Sequence, residues 1–221
     1  MSFDGYSAEG LEFLAHLPDR DPDWFKANRS AYEALVVGPT KALVAALGDE
    51  LQAQRADIAA EPKTNGSIAP INNDLRFSPD KSPYKDHLLL RFWEGAPKKT
   101  AATLFVRVAP GDVGFATGII PSDVDTWRTA LDGPSGAALA GAVDALARAK
   151  KAEVAGQALK KVPPPFPADH PRADLLRHKM LQVRWSEPAP AAISKPAFVG
   201  WCMKRLEACL PLHTTLVETF A

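Results

Sequence analysis

Cysteine is scarce in this sequence, which contains Cys202 and Cys209 and no other cysteine among its 221 residues. Seven positions apart on a predicted helix, the two lie about two turns (~10 Å) from each other, too far for a disulfide within that helix. Since the sequence also lacks a Cys-x-x-Cys and a His-x-x-x-His pair, it offers no standard zinc site. We predict two reduced cysteines that face the core, and no metal site.

Net charge and long apolar runs are absent as well. Lys and Arg total 26, and Asp and Glu total 26. A general nucleic-acid binder usually carries a basic excess, so nucleic acid is disfavoured as a partner, although a local basic patch is compatible with these totals. No apolar stretch approaches the ~20 residues of a membrane-spanning helix, and the first residues do not form a secretory signal. We therefore expect a cytoplasmic protein with no membrane partner.

Three motifs that would identify an enzyme class are missing. The sequence contains neither Gly-x-x-x-x-Gly-Lys nor Gly-x-Gly-x-x-Gly, so no standard phosphate-binding loop is present. It also lacks the Gly-x-Ser-x-Gly turn that presents a nucleophilic serine. Without these motifs the sequence indicates no particular reaction and no cofactor. Whether the chain is an enzyme stays open.

The first quarter of the sequence carries helix signals. Ser7 is a predicted N-cap for a first helix, and Asp21 followed by Pro22 predicts the start of a second. Gly38-Pro39 is predicted to interrupt this second helix, and Pro39 to open a third. The pattern predicts a small helical layer.

Strand signals follow in the middle of the chain. Residues 87–93 are a predicted buried strand. Residues 103–108 and 113–120 flank a Pro-Gly-Asp turn, which predicts a β-hairpin. Residues 159–162 are a predicted edge strand, and 180–185 alternate as a half-buried strand does.

Helix signals return after the hairpin and at the end of the chain. Ser122 is a predicted N-cap for a helix through Leu131. A long helix is predicted from Ser194 to Leu210, with a last short helix from Pro211. Together these elements predict a single α+β domain over residues 1–221, with an antiparallel sheet, packed helices, an N-terminal helical layer and a C-terminal helix.

The segment 73–87, called the charged segment below, holds seven ionisable side chains in fifteen residues. An arginine can grip an anion with two hydrogen bonds, and lysines add point charges. The charged segment is therefore a candidate site for a small anionic ligand, which the chain would bind or act on. The predicted contact residues are Arg76, Asp80, Lys81, Tyr84 and Lys85.

Two alternatives stay open for the charged segment. Its acids and bases nearly balance, so Asp74 and Asp80 can pair with Arg76 and Lys85 in a structural ion-pair hub, and the chain would then be a non-catalytic scaffold. The same cations, with lysines elsewhere, can also serve a nucleic-acid-associated module. A magnesium site at the three aspartates is disfavoured by the surrounding cations.

Residues along most of the chain resemble one known family. They are Trp24-Phe25-x-x-Asn28-Arg29-x-x-Tyr32, Asp74-x-Arg76-Phe77-Ser78-x-Asp80-Lys81-x-Pro83-Tyr84-Lys85, Leu159-Lys160-x-x-Pro163 and Asp169-His170-Pro171. The sequence is similar here to the mainly bacterial conserved hypothetical proteins called domain of unknown function 2461, and the similarity runs from about Phe3 to Phe220. It implies one compact α+β domain and no activity.

The sequence departs from this family just before the charged segment. Members usually carry basic and aromatic residues there, whereas this chain has Pro70-Ile71-Asn72-Asn73. If the replaced groups belong to a ligand site in the family, we expect that site to be weakened or altered in this chain.

Overall fold

A six-stranded antiparallel sheet lies at the centre of the chain in the computed structural model, which describes residues 2–76 and 82–220. The strand order is β1-β2-β3-β4-β6-β5. The strands are β1 Ile58–Ala59, β2 Leu88–Glu94, β3 Ala102–Val108, β4 Asp112–Ile119, β5 Glu153–Ala155 and β6 Leu181–Pro188.

Helices precede, interrupt and follow the strands along the chain. The α-helices are α1 Ala8–His16, α2 Pro22–Ala27, α3 Arg29–Tyr32, α4 Gly38–Gln54, α5 Val124–Asp132, α6 Ser135–Lys150, α7 Ala173–Leu176 and α8 Phe198–Phe220. Short 3₁₀ segments cover Leu17–Asp19 and Ala191–Ser194, and a π-helical segment covers Glu33–Val37. The predicted α+β class, with its N-terminal helical layer and C-terminal helix, is confirmed.

The chain forms two compact units. The first comprises Met1–Phe92, Phe105–Gly114 and Ser186–Lys204, and the second comprises Trp93–Leu104, Phe115–Trp185 and Arg205–Ala221. In the first unit, three leucines of α4 are completely buried: Leu43, Leu47 and Leu51. In the second, Trp127 of α5 and Leu139 of α6 are completely buried.

Both N-caps predicted in the first quarter are confirmed. The Ser7 hydroxyl accepts a hydrogen bond from the Gly10 amide at 3.0 Å, and the Asp21 carboxylate accepts one from the Trp24 amide at 2.8 Å. Each cap satisfies an amide that has no partner inside its helix.

The third helix begins where it was predicted, since α4 starts at Gly38 with Pro39 in its first turn. The predicted break before it is absent, because the π-helical segment Glu33–Val37 continues directly into α4. The Gly38 amide donates to the Glu33 carbonyl, five residues back. Pro39 lies in the first turn of α4, at the point where the hydrogen-bond pattern changes from the π-helical to the α-helical spacing. A change of helical register therefore accommodates the proline without ending the helix.

The predicted hairpin is confirmed by β3 and β4, and the Ala109 amide donates to the Asp112 carbonyl at 3.0 Å across its turn. The predicted cap at Ser122 is wrong by one residue. The Asp123 carboxylate accepts from the Thr126 amide at 2.9 Å and caps α5. Both residues are good N-caps, so the sequence alone does not choose between them.

The predicted edge strand at 159–162 is also wrong. The edge strand is β5, in which Val154 pairs with Val183 of β6. It follows α6 directly because Lys151 adopts a left-handed conformation (φ 50°) that ends the helix and turns the chain.

One continuous helix, α8, replaces the two helices predicted at the C-terminus. Pro211 lies inside it. Buried side chains on both sides of the proline, Cys209 and Leu212, favour continuation by more than the ~3 kcal/mol that an internal proline costs. Among the described residues, no helix combines the length and apolar character of a membrane span.

Candidate functional site

The chain on either side of residues 77–81 forms a short antiparallel pairing, called the clasp below, between residues 70–73 and 82–85. The Asn73 amide donates to the Pro83 carbonyl at 3.0 Å, and the Lys85 amide donates to the Ile71 carbonyl at 2.9 Å. Asn72 and Tyr84 are the paired residues between these two bonds. Residues Pro70-Ile71-Asn72-Asn73 therefore form one side of the clasp.

Two polar side chains reinforce the clasp. The Asn73 side-chain amide donates to the Ser82 and Tyr84 carbonyls, at 3.0 Å in both cases. The Ser82 hydroxyl donates to the Pro18 carbonyl at 2.8 Å and so ties the clasp to the turn after α1. The sequence analysis did not predict either role.

Lys85 closes the clasp with its side chain. Its ammonium donates to the Pro70 carbonyl at 2.6 Å and to the Asn72 carbonyl at 2.8 Å. Partial burial lowers the pKa of Lys85, and the charge of Arg91 lowers it further. This candidate ligand cation is directed at carbonyls of its own chain, whereas the predicted ion-pair hub placed it on a carboxylate.

Arg76 forms an ion pair with Asp74, as predicted for a structural ion-pair hub. Its Nε donates to Asp74 Oδ1 at 2.9 Å and its Nη2 to Oδ2 at 2.7 Å. The hydrogen bond from Arg76 is the main cause that lowers the pKa of Asp74. Because 79% of the Arg76 side chain is exposed, water competes for the pair, and a ligand can exchange with Asp74 at little cost.

Tyr84 belongs to an aromatic cluster. It is 5% exposed, and its ring centroid lies 4.6 Å from that of Phe25. Phe25 in turn contacts Tyr32 of α3 at 5.1 Å. The ring of Tyr84 therefore stacks on the helical layer, where an aromatic side chain stabilises the packing of the clasp.

Asp80 and Lys81, the remaining candidate contact residues, lie outside the described residues. Within 2–76 and 82–220, no group of three or more His, Cys, Asp or Glu side chains is placed to hold a metal ion. The structure therefore brings Arg76, Tyr84 and Lys85 to one region of the first unit, each with a partner in the chain itself.

A second charge network extends the clasp into the sheet. His87 Nδ1 donates to Asp86 Oδ1 at 2.7 Å, and Arg107 of β3 lies 3.8 Å from the same oxygen. Arg107 Nη1 also donates to both carboxylate oxygens of Asp112, at 2.8 and 2.7 Å. The hydrogen bond from His87, assisted by the charges of His87 and Arg107, holds the pKa of Asp86 below its ordinary value.

The lowered pKa of Asp86 predicts a pH-dependent contribution to stability. Its pairing stabilises the fold above the ordinary aspartate pKa of about 4, and this stability is lost as pH falls through the lowered folded-state pKa. We expect Asp86→Asn to lower the melting temperature above about pH 5 and to approach the wild type as the pH falls through the lowered folded-state pKa of Asp86. Thermal melts across this range test the prediction, and a constant difference down to the lowest pH would contradict it.

An open groove of about 890 Å³ lies beside the clasp. Its walls are residues 18–22 on one side and Asn73, Leu75 and 82–87 on the other. Charges of both signs line it. Among them, Arg20 lies over the Trp24 ring at 4.7 Å. The sequence analysis did not include residues 18–22 in the site, because their proximity to the clasp depends on the Ser82–Pro18 hydrogen bond.

Glu94 and His213 are two further ionisable residues that the sequence analysis missed. Glu94, at the end of β2, is 9% exposed, and His213 of α8 is completely buried. Two features of the sequence could have indicated them: Glu94 is an acid at the end of an apolar strand, and His213 is a histidine among the apolar residues of a helix. Both lie in the second unit, whereas the charged segment belongs to the first.

Comparison with known proteins gives one match. The family model described as "Conserved hypothetical protein (DUF2461)" matches residues 9–214. No curated protein and no solved structure is significantly similar to the chain.

Proposed function

The chain belongs to the DUF2461 family of conserved hypothetical proteins, and we propose that it is a non-catalytic scaffold whose charged segment is a structural hub beside an open groove. The observation that carries this proposal is the position of the Lys85 ammonium on the Pro70 and Asn72 carbonyls. A lysine that serves a ligand needs donor N–H groups left for that ligand, whereas this ammonium donates to two carbonyls of its own chain.

The other contacts of the hub support the same proposal. Arg76 is neutralised by Asp74, and the Tyr84 ring packs on Phe25. Tyr84 is buried and needs such packing whether or not a ligand exists, whereas the exposed Arg76–Asp74 pair contributes little to stability. We also propose that residues 1–221 act as one domain, since β2, β3, β4, β6 and α8 each contribute residues to both compact units.

Binding of a small anionic ligand at the groove is the second candidate function. The groove itself favours it, together with the exposure of Arg76, whose pairing with Asp74 a phosphate or carboxylate can replace. The proposed contact set is Arg76, Asp80, Lys81, Tyr84 and Lys85. Arg20 on the opposite wall is an additional cation for the same ligand.

Thermal melts of two variants separate the two candidate functions. Under the hub proposal, Lys85→Met leaves two carbonyls without a donor, and we expect a loss of about 1–2 kcal/mol, or a melting temperature lower by about 3–6 °C. Arg76→Ala removes an exposed pair, so we expect a melting temperature within error of the wild type. Lys41→Met, at an exposed position of α4, is the matched control and should change nothing.

The same melts in phosphate and in chloride buffer of equal ionic strength test the anion proposal. A ligand that binds the folded state raises the melting temperature. The hub proposal expects no difference between the buffers, and the anion proposal expects a rise with phosphate that Arg76→Ala abolishes. A Lys85→Met variant as stable as the Lys41→Met control would contradict the hub.

A further inference from the structure

The second unit contains a semi-enclosed cavity of about 330 Å³. This volume is at the lower end of the range of about 300–1,000 Å³ for ligand pockets. Ile119 of β4 and Leu216 and Phe220 of α8 supply apolar walls, and Glu94 reaches the cavity from the end of β2. A compact organic molecule fits such a space.

Glu94 is the one ionisable side chain among the described residues that line the cavity. It is 9% exposed, and its Oε2 lies 3.4 Å from Nε2 of the completely buried His213. A carboxylate that is largely removed from bulk water attracts a cation or hydrogen-bond donor more strongly than an exposed one, because little water screens its charge.

The two helix ends at the cavity favour a cation over an anion. Helix α8 ends at Phe220, and the carbonyls of a last helical turn carry partial negative charge. The N-terminus of α5 also meets the cavity, at Ser122 and Thr126. There the Asp123 carboxylate accepts from the Thr126 amide at 2.9 Å and from its hydroxyl at 3.0 Å, so this helix end already has its anion.

From these contacts we propose that the cavity is a binding site for a compact primary amine. The ammonium of the ligand donates to the Glu94 carboxylate, with His213 behind it, and the apolar part of the ligand lies against Ile119, Leu216 and Phe220. The site is independent of the charged segment and of the function proposed for it. Nothing in the sequence motifs or in the family description assigns a ligand to these residues.

Three probes of one size test this site on the intact protein: n-butylamine, n-butanol and butyrate. Their binding is measured by amide shifts in two-dimensional ¹⁵N–¹H NMR. We expect n-butylamine to shift the amides of residues 94–102 and 119–126 and to bind at least about tenfold more tightly than n-butanol, because a charge-assisted hydrogen bond distinguishes them. Butyrate should produce no shifts there. Equal binding of amine and alcohol, or amine shifts spread over the whole surface, would overturn the proposal.

A charge-removing variant sharpens the test. Glu94→Gln keeps the shape of the side chain, and we expect it to weaken n-butylamine binding by about tenfold while n-butanol binding stays unchanged. Glu218→Gln is the matched control. Glu218 is exposed, lies near the C-terminal end of α8 and does not line the cavity, so this variant should bind n-butylamine as the wild type does. If Glu94→Gln does not fold, the comparison of three probes on the wild type decides alone. Undiminished amine binding by a folded Glu94→Gln would overturn the proposal.

Discussion

Trp127→Ala is expected to lower the free energy of unfolding by about 3–5 kcal/mol, a large share of the roughly 5–15 kcal/mol that stabilises a typical domain. Trp127 is completely buried, and its ring stacks on Phe220 with centroids 5.5 Å apart. Its indole N–H donates to the Leu175 carbonyl at 3.2 Å. The substitution therefore leaves a cavity and removes one of the two hydrogen bonds that the Leu175 carbonyl accepts, the other coming from the His178 amide at 3.0 Å. Urea denaturation followed by circular dichroism measures the loss.

Two other variants separate the causes of this loss. Trp127→Phe keeps most of the ring and removes the N–H, so we expect a loss between those of the wild type and Trp127→Ala. Trp24→Ala removes a half-exposed tryptophan and should cost less than Trp127→Ala. Phe220, on which Trp127 stacks, also forms a wall of the cavity proposed to bind an amine. Trp127→Ala is therefore expected to weaken n-butylamine binding as well. A loss no larger than that of Trp24→Ala would contradict the role of Trp127 in the core.

Gly118→Ala is the second substitution with a large expected effect, about 3 kcal/mol of destabilisation. Gly118 lies in β4, where a methyl group would collide with the Leu181 carbonyl and lie 2.9 Å from the Gln182 Cα. Both contacts are with the backbone of β6, which cannot move aside as a side chain can. Strands β4 and β6 would have to separate locally, and the hydrogen bonds between them would weaken.

Gly141→Ala is the matched control for Gly118→Ala and should have the opposite sign. Gly141 lies within α6, and nothing approaches within 4 Å of the position that a methyl group would take. Alanine is favoured over glycine in a helix by about 1 kcal/mol, so this variant should be more stable than the wild type. Denaturation curves of both variants measure the pair. Equal effects of the two substitutions would show that the close approach of β6 to Gly118 does not matter.

Local signals predicted the elements that depend on few neighbouring residues. The caps at Ser7 and Asp21 and the hairpin turn at 110–112 each need contacts within about four residues, and all three are confirmed. The predicted break at Pro211 was wrong, because a proline weakens a helix by a limited amount and the burial of Cys209 and Leu212 beside it favours continuation. At Pro39 the predicted helix start is confirmed, but the π-helical segment before it leaves no gap between the helices.

The candidate site was predictable in position and only partly in its contacts. The near balance of charge in segment 73–87 predicted internal pairing, and Arg76 does pair with Asp74. The partner of Lys85 was not predictable, because the Pro70 and Asn72 carbonyls carry no sequence signal: every residue has one. The groove wall at 18–22 was missed because it reaches the clasp through a contact between segments far apart in the chain.

The sequence by itself determined the family, the α+β class, the starts of the first two helices and the location of the charged segment, because residue types at fixed local spacing encode these features. The tertiary structure alone decided that Lys85 closes a clasp on its own backbone, that α8 continues through Pro211 and that Glu94 meets His213 beside a cavity. Each of these depends on contacts between distant segments, whose free energy outweighs local preference and which no short stretch of sequence contains.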